Sequence, residues 1–171
     1  MANSMRTLPL PDQRHLDAAE GWLGLDDWTE ANEELEQIGP SQRCHPLVLF
    51  VRYEILAKAK RWDEAVEMAH ALVALFPGRP EAWICWAYSA RQKPEGGLVE
   101  AKEILVQAEA RFPAEYLISY NLACYDCLLG NLEESRRWLE KAFVLAGPKH
   151  LRATARDAAE LQPLWRKFRE V

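Results

Sequence analysis

Two cysteines separated by two residues are the strongest chemical signal in this sequence. Cys124 and Cys127 form a Cys-x-x-Cys motif, which has the spacing of half a zinc site or of a redox pair. A structural zinc site needs a second ligand pair of comparable spacing, and none of the four histidines belongs to one. A redox pair normally lies at a helix N-terminus, whereas the surrounding pattern places these cysteines inside a helix. A thiol or metal site at Cys124 and Cys127 is therefore a remote alternative.

Other residue patterns that support catalysis are absent from the sequence. It contains neither a Glu-x-x-His zinc motif nor a Gly-x-Ser-x-Gly nucleophile motif, and Gly96 and Gly97 are better explained by a lengthened turn than by a phosphate-binding loop. The paired acids Glu33-Glu34 and Glu133-Glu134 point apart around a helix, because adjacent residues do not share a helix face. We therefore predict no enzymatic activity, no catalytic residue, no cofactor and no metal site.

The elements that carry these residues recur at an almost constant interval. Four segments each contain a turn, then a large apolar residue, an acid and a small residue, which is Ala31, Ala65, Ala101 or Ser135. The small residues are 34, 36 and 34 positions apart. A repeat of this length indicates a helix-turn-helix unit that stacks on copies of itself.

The four units resemble the tetratricopeptide repeat (TPR), whose first helix carries Trp, Leu-Gly and Tyr and whose second carries Ala, an aromatic residue and a closing Pro. Pro77 and Pro113 match the closing proline. Where the family has glycine on the first helix, the sequence has Ala19, Tyr53, Ala87 and Ala123. Tyr53 is bulky, so we expect the second helix pair to be locally open.

The resemblance implies an all-α fold, a right-handed superhelical solenoid of stacked helix-turn-helix repeats. We expect a flexible N-terminal tail over residues 1–11, four repeats over residues 12–147 and capping helices over residues 148–171. Helical periodicity and proline positions predict the element boundaries. The predicted helices span residues 12–24, 27–38, 46–59, 62–75, 80–92, 97–111, 115–129, 132–146, 150–160 and 163–169.

Composition is consistent with a folded domain outside the membrane. Apolar residues make up 49% of the chain, which argues against disorder. No run of about 18 apolar residues is present, as a membrane-spanning helix would require. The first residues also lack the continuous apolar segment of a secretory signal, so we expect a cytoplasmic protein.

Charge is distributed unevenly along the chain. Residues 12–36 contain nine acids and one base, whereas residues 136–169 contain nine bases and three acids. The simplest interpretation is two solvated helix faces. Alternatively, the opposite charges permit head-to-tail self-association, and therefore a homo-oligomer. Nucleic acid is an unlikely partner, because the basic stretch carries no recognised binding motif.

The family resemblance implies a protein-protein interaction scaffold that holds a peptide segment or a partner protein in a concave groove lined by the first helices. The matching positions are Phe50, Glu54, Lys58, Ile84, Tyr88, Arg91, Leu117, Tyr120, Asn121, Cys124 and Cys127. Arginine and amide groups beside aromatic residues favour an apolar ligand that carries an acidic group. Any of these residues could instead pack against neighbouring helices or the N-terminal tail. Leu16 and Glu20 replace the basic and asparagine clamp of chaperone-tail receptors, so that ligand is not implied.

Overall fold

The structure is a computed structural model that describes residues 8–93 and 97–169, apart from the side chains of residues 148–150, 152, 153, 168 and 169. Residues 1–7 of the predicted tail and residues 94–96 of the lengthened turn lie outside the described residues. So do the side chains of three bases of the basic end, Lys149, Arg152 and Arg169.

The described residues form ten α-helices, two short 3₁₀ turns and no strand. The helices are α1 Leu10–Gly24, α2 Trp28–Glu36, α3 Pro46–Lys58, α4 Trp62–Leu75, α5 Pro80–Arg91, α6 Gly97–Arg111, α7 Tyr116–Leu128, α8 Leu132–Ala146, α9 Pro148–Asp157 and α10 Gln162–Arg169. The 3₁₀ turns are Pro40–Gln42 and Ala159–Leu161. None of the helices in the described part of the chain is long and apolar enough to cross a membrane.

Local chemistry explains where the helices begin and end. Proline occupies the first turn of α1, α3, α5 and α9, where its missing N–H costs no helical hydrogen bond. The Asp27 side chain caps α2 by accepting a hydrogen bond from the amide of Glu30 at 3.2 Å. Gly147 ends α8 with φ of 82°, a conformation that glycine adopts without strain.

Several helix boundaries differ from the predicted ones by one to three residues, and α9 spans Pro148–Asp157 instead of the predicted residues 150–160. Helix α1 begins at Leu10, inside the predicted tail, because Pro9 precedes the helix and the amide of Gln13 donates to its carbonyl at 2.9 Å. Leu8 is buried in the adjoining core, so the chain is already packed at this residue. Helix α2 ends at Glu36, and the 3₁₀ turn Pro40–Gln42 takes the chain to α3.

The chain divides between Phe76 and Pro77 into two compact units. The N-terminal unit contains α1 to α4, and its core includes Leu16, Leu35, Ile38 and Val48. The C-terminal unit contains α5 to α10, with Leu105, Ile118 and Leu122 among its fully buried side chains. In each unit, consecutive helices pack as antiparallel pairs, and the later pair packs on the earlier one.

The small residue of each repeat lies at the contact between paired helices. Ala31, Ala65, Ala101 and Ser135 are all completely buried. In the pair α7 and α8, the hydroxyl of Ser135 donates to the backbone carbonyl of Ala123 at 2.7 Å. In the pair α3 and α4, the bulky Tyr53 is itself buried, with 5% of its surface exposed. The local opening expected from Tyr53 stays a prediction.

Gly97 is required by a close approach between helices. It is the first residue of α6, and a Cβ added there would overlap the backbone carbonyl oxygen of Ala90 and lie 3.1 Å from that of Arg91. The backbone oxygens at the end of α5 cannot move aside without shifting the helix. The lengthened turn therefore ends in glycine because there is no room for a Cβ atom at this position.

We predict that Gly97→Ala lowers the free energy of unfolding by about 1–3 kcal/mol, the usual cost of overpacking. The control is Gly21→Ala, which lies inside α1 with no atom near the added Cβ, and should stabilise the protein by about 0.5–1 kcal/mol. Urea denaturation of both variants measures the two changes. Opposite signs are expected, and a stabilising Gly97→Ala would contradict the close approach.

Candidate functional site

In the N-terminal unit, the predicted groove residues lie on successive turns of α3. Phe50 is half-buried, whereas Glu54 and Lys58 are exposed. The ammonium group of Lys58 lies 2.6 Å from Oδ1 of Asp26, which follows α1. The positive charge of Lys58 is therefore already paired. Glu54 is the charged group on this face of α3 that could interact with a partner.

The carboxyl group of Glu54 is held in an unfavourable environment for a charge. Partial desolvation raises its pKa above the ordinary value, and the nearby negative charge of Glu20 raises it further. Lys58 offsets part of this increase. Two acids thus repel each other on this face of the N-terminal unit, a situation that an added positive charge would relieve.

In the C-terminal unit, the predicted residues lie on α5 and α7. Ile84, Tyr88 and Arg91 are spaced by a helical turn on α5, and we call the surface of Ile84, Tyr88, Leu117 and Asn121 the inner face. Tyr88 and Leu117 are large apolar side chains that remain 43% and 38% exposed. The amide of Asn121 donates to the backbone carbonyl of Leu117 at 2.8 Å, which fixes its orientation.

Arg91 is engaged by the chain itself. Its guanidinium Nη2 lies 3.2 Å from Oε1 of Glu160, in the 3₁₀ turn before α10. The same guanidinium lies 5.5 Å from the centroid of the Tyr125 ring, a cation–π arrangement. Both partners of the ion pair keep partial solvent contact, with side chains 25% and 31% exposed.

The chain's C-terminal segment, residues 158–165, covers the remaining predicted positions on α7. The 3₁₀ turn of this segment packs on α7, and the charge of Glu160 acts on both Tyr120 and Cys124. The backbone of Leu164 lowers the pKa of the Cys127 thiol, against the increase caused by burial. Arg91, Tyr120, Cys124 and Cys127 were predicted as partner contacts; Arg91 pairs with the chain's own segment, whose charge or backbone acts on the pKa values of the other three.

The environment of the cysteines opposes thiol chemistry. Burial raises the pKa of Cys124 to about 12, with a further increase from the charge of Glu160, and burial also raises the pKa of Cys127. A nucleophilic or metal-binding cysteine needs the opposite shift. The described residues contain no cluster of three or more His, Cys, Asp or Glu side chains that could hold a metal ion. The thiol or metal alternative gains no support from this geometry.

Asp126, which lies between the two cysteines, is a residue whose importance sequence reasoning missed. It is completely buried, and its Oδ1 lies 2.6 Å from the ammonium of Lys102 and 2.9 Å from the side-chain amide of Asn131. The carboxylate thus joins α6, α7 and the turn before α8. An acid in the middle of an otherwise apolar helix was the available signal.

Two clefts lie outside the predicted positions. One of about 450 Å³ lies in the N-terminal unit between α2, α3 and α4, and is lined in part by Trp28, Ile55 and Met68. Another of about 690 Å³ lies in the C-terminal unit beside Val99 and Val106 of α6. Both are open clefts, and the two arginines of the first, Arg52 and Arg61, are already paired with Glu36 and Glu64. Cavity size alone therefore does not identify the site.

The acidic segment, residues 12–36, and the basic segment, residues 136–169, each form ion pairs within their own unit. In the C-terminal unit, Arg137 pairs with Glu134, Lys141 with Glu109 and Lys167 with Glu133. In the N-terminal unit, Glu34 contacts His15, and Glu36 pairs with two arginines. These local pairs weaken the basis for head-to-tail association through opposite charges.

Comparison with solved structures identifies a similar fold. The crystal structure of a thermophilic TPR protein from Thermus thermophilus matches with a TM-score of 0.70, over 93% of this chain and 89% of that chain, at 19% sequence identity. No family model and no curated protein matches the sequence. At this level of identity the similarity shows the fold alone, and it confirms the predicted all-α, tetratricopeptide-like repeat architecture.

The thiol environment predicts strongly unequal alkylation. At pH 7.5, iodoacetamide should modify the exposed Cys44 at least about 100-fold faster than Cys124 or Cys127, because burial blocks access and suppresses the thiolate. Peptide mass spectrometry over time measures each rate, and the urea-unfolded chain, in which these differences should disappear, is the control. Rapid modification of Cys124 in the native protein would revive the thiol alternative.

The pKa of Glu54 predicts a pH-dependent stability change. Because this pKa is raised in the folded state, ionisation of Glu54 costs stability at neutral pH, and the cost vanishes below its ordinary pKa. Glu54→Gln should therefore raise the free energy of unfolding at pH 7 by a few tenths of a kcal/mol, a small value because the residue is exposed.

Urea denaturation at pH 7 and pH 4 tests this sign. The gain from Glu54→Gln should shrink at pH 4, whereas Glu67→Gln on the exposed surface of α4 serves as the matched substitution. A gain that grows as the pH falls would contradict the raised pKa.

Proposed function

We propose that the protein is a non-catalytic interaction scaffold whose C-terminal unit binds an apolar segment of a partner protein on the inner face. The carrying observation is that Tyr88 and Leu117, on the first helices of two successive repeats, remain exposed although they are large and apolar. Exposed aromatic and aliphatic side chains on rigid helices offer contact area at small entropic cost. The TPR fold, which generally presents surfaces to proteins, supports the scaffold role at the level of the fold.

The chemistry beside the inner face favours a ligand that carries an acidic group. Arg91 lies one turn after Tyr88 and holds a carboxylate of the chain itself in a partly exposed ion pair. Asn121 presents a side-chain amide whose carbonyl oxygen can accept a hydrogen bond from a ligand backbone. An extended or helical segment with apolar residues and an adjacent acid satisfies both groups.

For the N-terminal unit, we propose a second contact at Phe50, Glu54 and Lys58. The raised pKa of Glu54 and the like charge of Glu20 favour a basic group of the partner at this position. A cytoplasmic location is part of the proposal.

Affinity capture with matched variants tests the proposed function. The double variant Tyr88→Ala and Leu117→Ala should reduce capture of the partner by about 30-fold, equivalent to about 2 kcal/mol, because such anchors often dominate binding. The control is Val99→Ala with Val106→Ala, which removes two similarly exposed apolar side chains from α6. Quantitative mass spectrometry measures capture, and circular dichroism verifies folding.

A partner that binds both double variants equally well would overturn the proposal. Loss of capture by the Val99 and Val106 control would place the functional surface on α6, beside the larger cleft. Loss on changing Glu30 and Glu33 of α2 alone would instead favour the acidic end.

A further inference from the structure

The C-terminal segment, residues 158–165, is organised by its own hydrogen bonds. After α9 the chain turns at Ala158, and the side-chain amide of Gln162 donates to the carbonyls of Arg156 and Ala158 at 2.9 and 3.2 Å. The indole N–H of Trp165 donates to the carbonyl of Ala155 at 2.9 Å. These bonds hold α10 against α9, so the segment presents a fixed face to the repeats.

That face combines one acid with two leucines. Glu160 reaches Arg91 on α5, whereas Leu161 and Leu164 are 0% and 1% exposed against the C-terminal unit. The segment therefore offers Glu-Leu-x-x-Leu, an acid followed by apolar residues at the next and fourth positions. This is the chemistry expected of a ligand for the surface beside the inner face.

The outer edge of this segment is open to solvent. A surface cleft of about 280 Å³ lies between α8 and α10, lined in part by Leu139, Phe143, Leu164 and Trp165. The outer contact of α10 is an ion pair between Lys167 and Glu133, whose side chains are both largely exposed. Exposed ion pairs contribute about 1 kcal/mol or less, so this outer contact adds little to the stability of the closed segment.

We infer that residues 158–165 are an intramolecular ligand, and that a partner segment of the form acid-Leu-x-x-Leu displaces them. When residues 158–165 are displaced, the side chains of Arg91, Tyr120, Cys124 and Cys127 become accessible beside Tyr88 and Leu117. This inference rests on the proposed function, since it assigns the class of ligand and its regulation to the same surface. No covalent step is involved.

Tethering determines how strongly the segment competes. Because it is attached to the surface that it covers, its effective concentration is on the order of millimolar. The apparent affinity for an external segment is reduced by the fraction of molecules that are open. Weakening the internal contact should therefore strengthen binding of an external copy.

A fluorescent peptide that copies residues 156–167 tests this competition on the full chain by anisotropy. It should bind the Leu164→Ser chain about tenfold or more tightly than wild type, because the serine weakens the internal segment and leaves its receptor surface intact. Val144→Ser is the matched control, since Val144 is 83% exposed on α8 and should leave binding at the wild-type level.

Two further variants test the ion pair. The first adds Arg91→Gln to Leu164→Ser, and the second replaces the glutamate of the peptide by glutamine. Each should reduce severalfold the gain in peptide affinity that Leu164→Ser produces. Equal binding to wild type and Leu164→Ser, no binding to either, or indifference to both charge changes would overturn the inference.

Hydrogen exchange on the wild-type chain provides a test without substitutions. Amides of residues 161–167 should exchange through a local opening, at least about tenfold faster than the buried amides of α7. Exchange of both segments only in a common global unfolding event would identify a fixed cap and overturn the inference.

The outcomes separate this inference from the proposed function. If the peptide competes with the internal segment but Tyr88→Ala with Leu117→Ala does not change partner capture, residues 158–165 are an intramolecular ligand and the inner face is not the partner site. If the double variant loses the partner but the peptide does not compete, the inner face is the partner site and residues 158–165 are not displaced.

Discussion

The repeat architecture depends on small side chains at the points where paired helices approach each other. Ala31, Ala65, Ala101 and Ser135 are completely buried, and in the last pair the approach is close enough for Ser135 to bond the backbone of the facing helix. In the pair α3 and α4, the corresponding position of the first helix is the bulky Tyr53, which is also buried. Side-chain volume at these positions therefore limits how closely paired helices can pack.

The same packing determines which faces of the first helices remain available. Helix α7 is buried on nearly every side from Ile118 to Cys127, because α6, α8 and the C-terminal segment all pack on it. Its two ends stay exposed, at Leu117 and Leu128, as does Tyr88 of α5. The apolar surface that remains available beside Leu117 and Tyr88 is therefore bounded by the chain's own C-terminal segment.

Sequence periodicity predicted most of this fold, including α4 at residues 62–75, because spacing of small residues and prolines is a local property. It also predicted a C-terminal cap. It did not predict that the cap covers Cys124 and Cys127, since this depends on the chain reversal at Ala158 and on a pairing of Arg91 with a residue 69 positions away. The burial of Asp126 was missed for a related reason, because its partner Lys102 belongs to the preceding repeat.

Two ion pairs of the C-terminal unit differ in how deeply their carboxylates are buried. This difference determines which carboxylate another molecule could replace. Asp126 is completely buried, whereas Lys102 is 29% exposed, so removing Lys102 would leave an uncompensated buried carboxylate at a cost of about 3–5 kcal/mol. Arg91 and Glu160 keep contact with water, and such pairs contribute about 1 kcal/mol or less. In the proposed function, a carboxylate from another molecule replaces Glu160 at little cost, whereas the buried Asp126 is not available for such an exchange. The more exposed pair is therefore the one suited to recognition, and the buried pair holds the helices that support it.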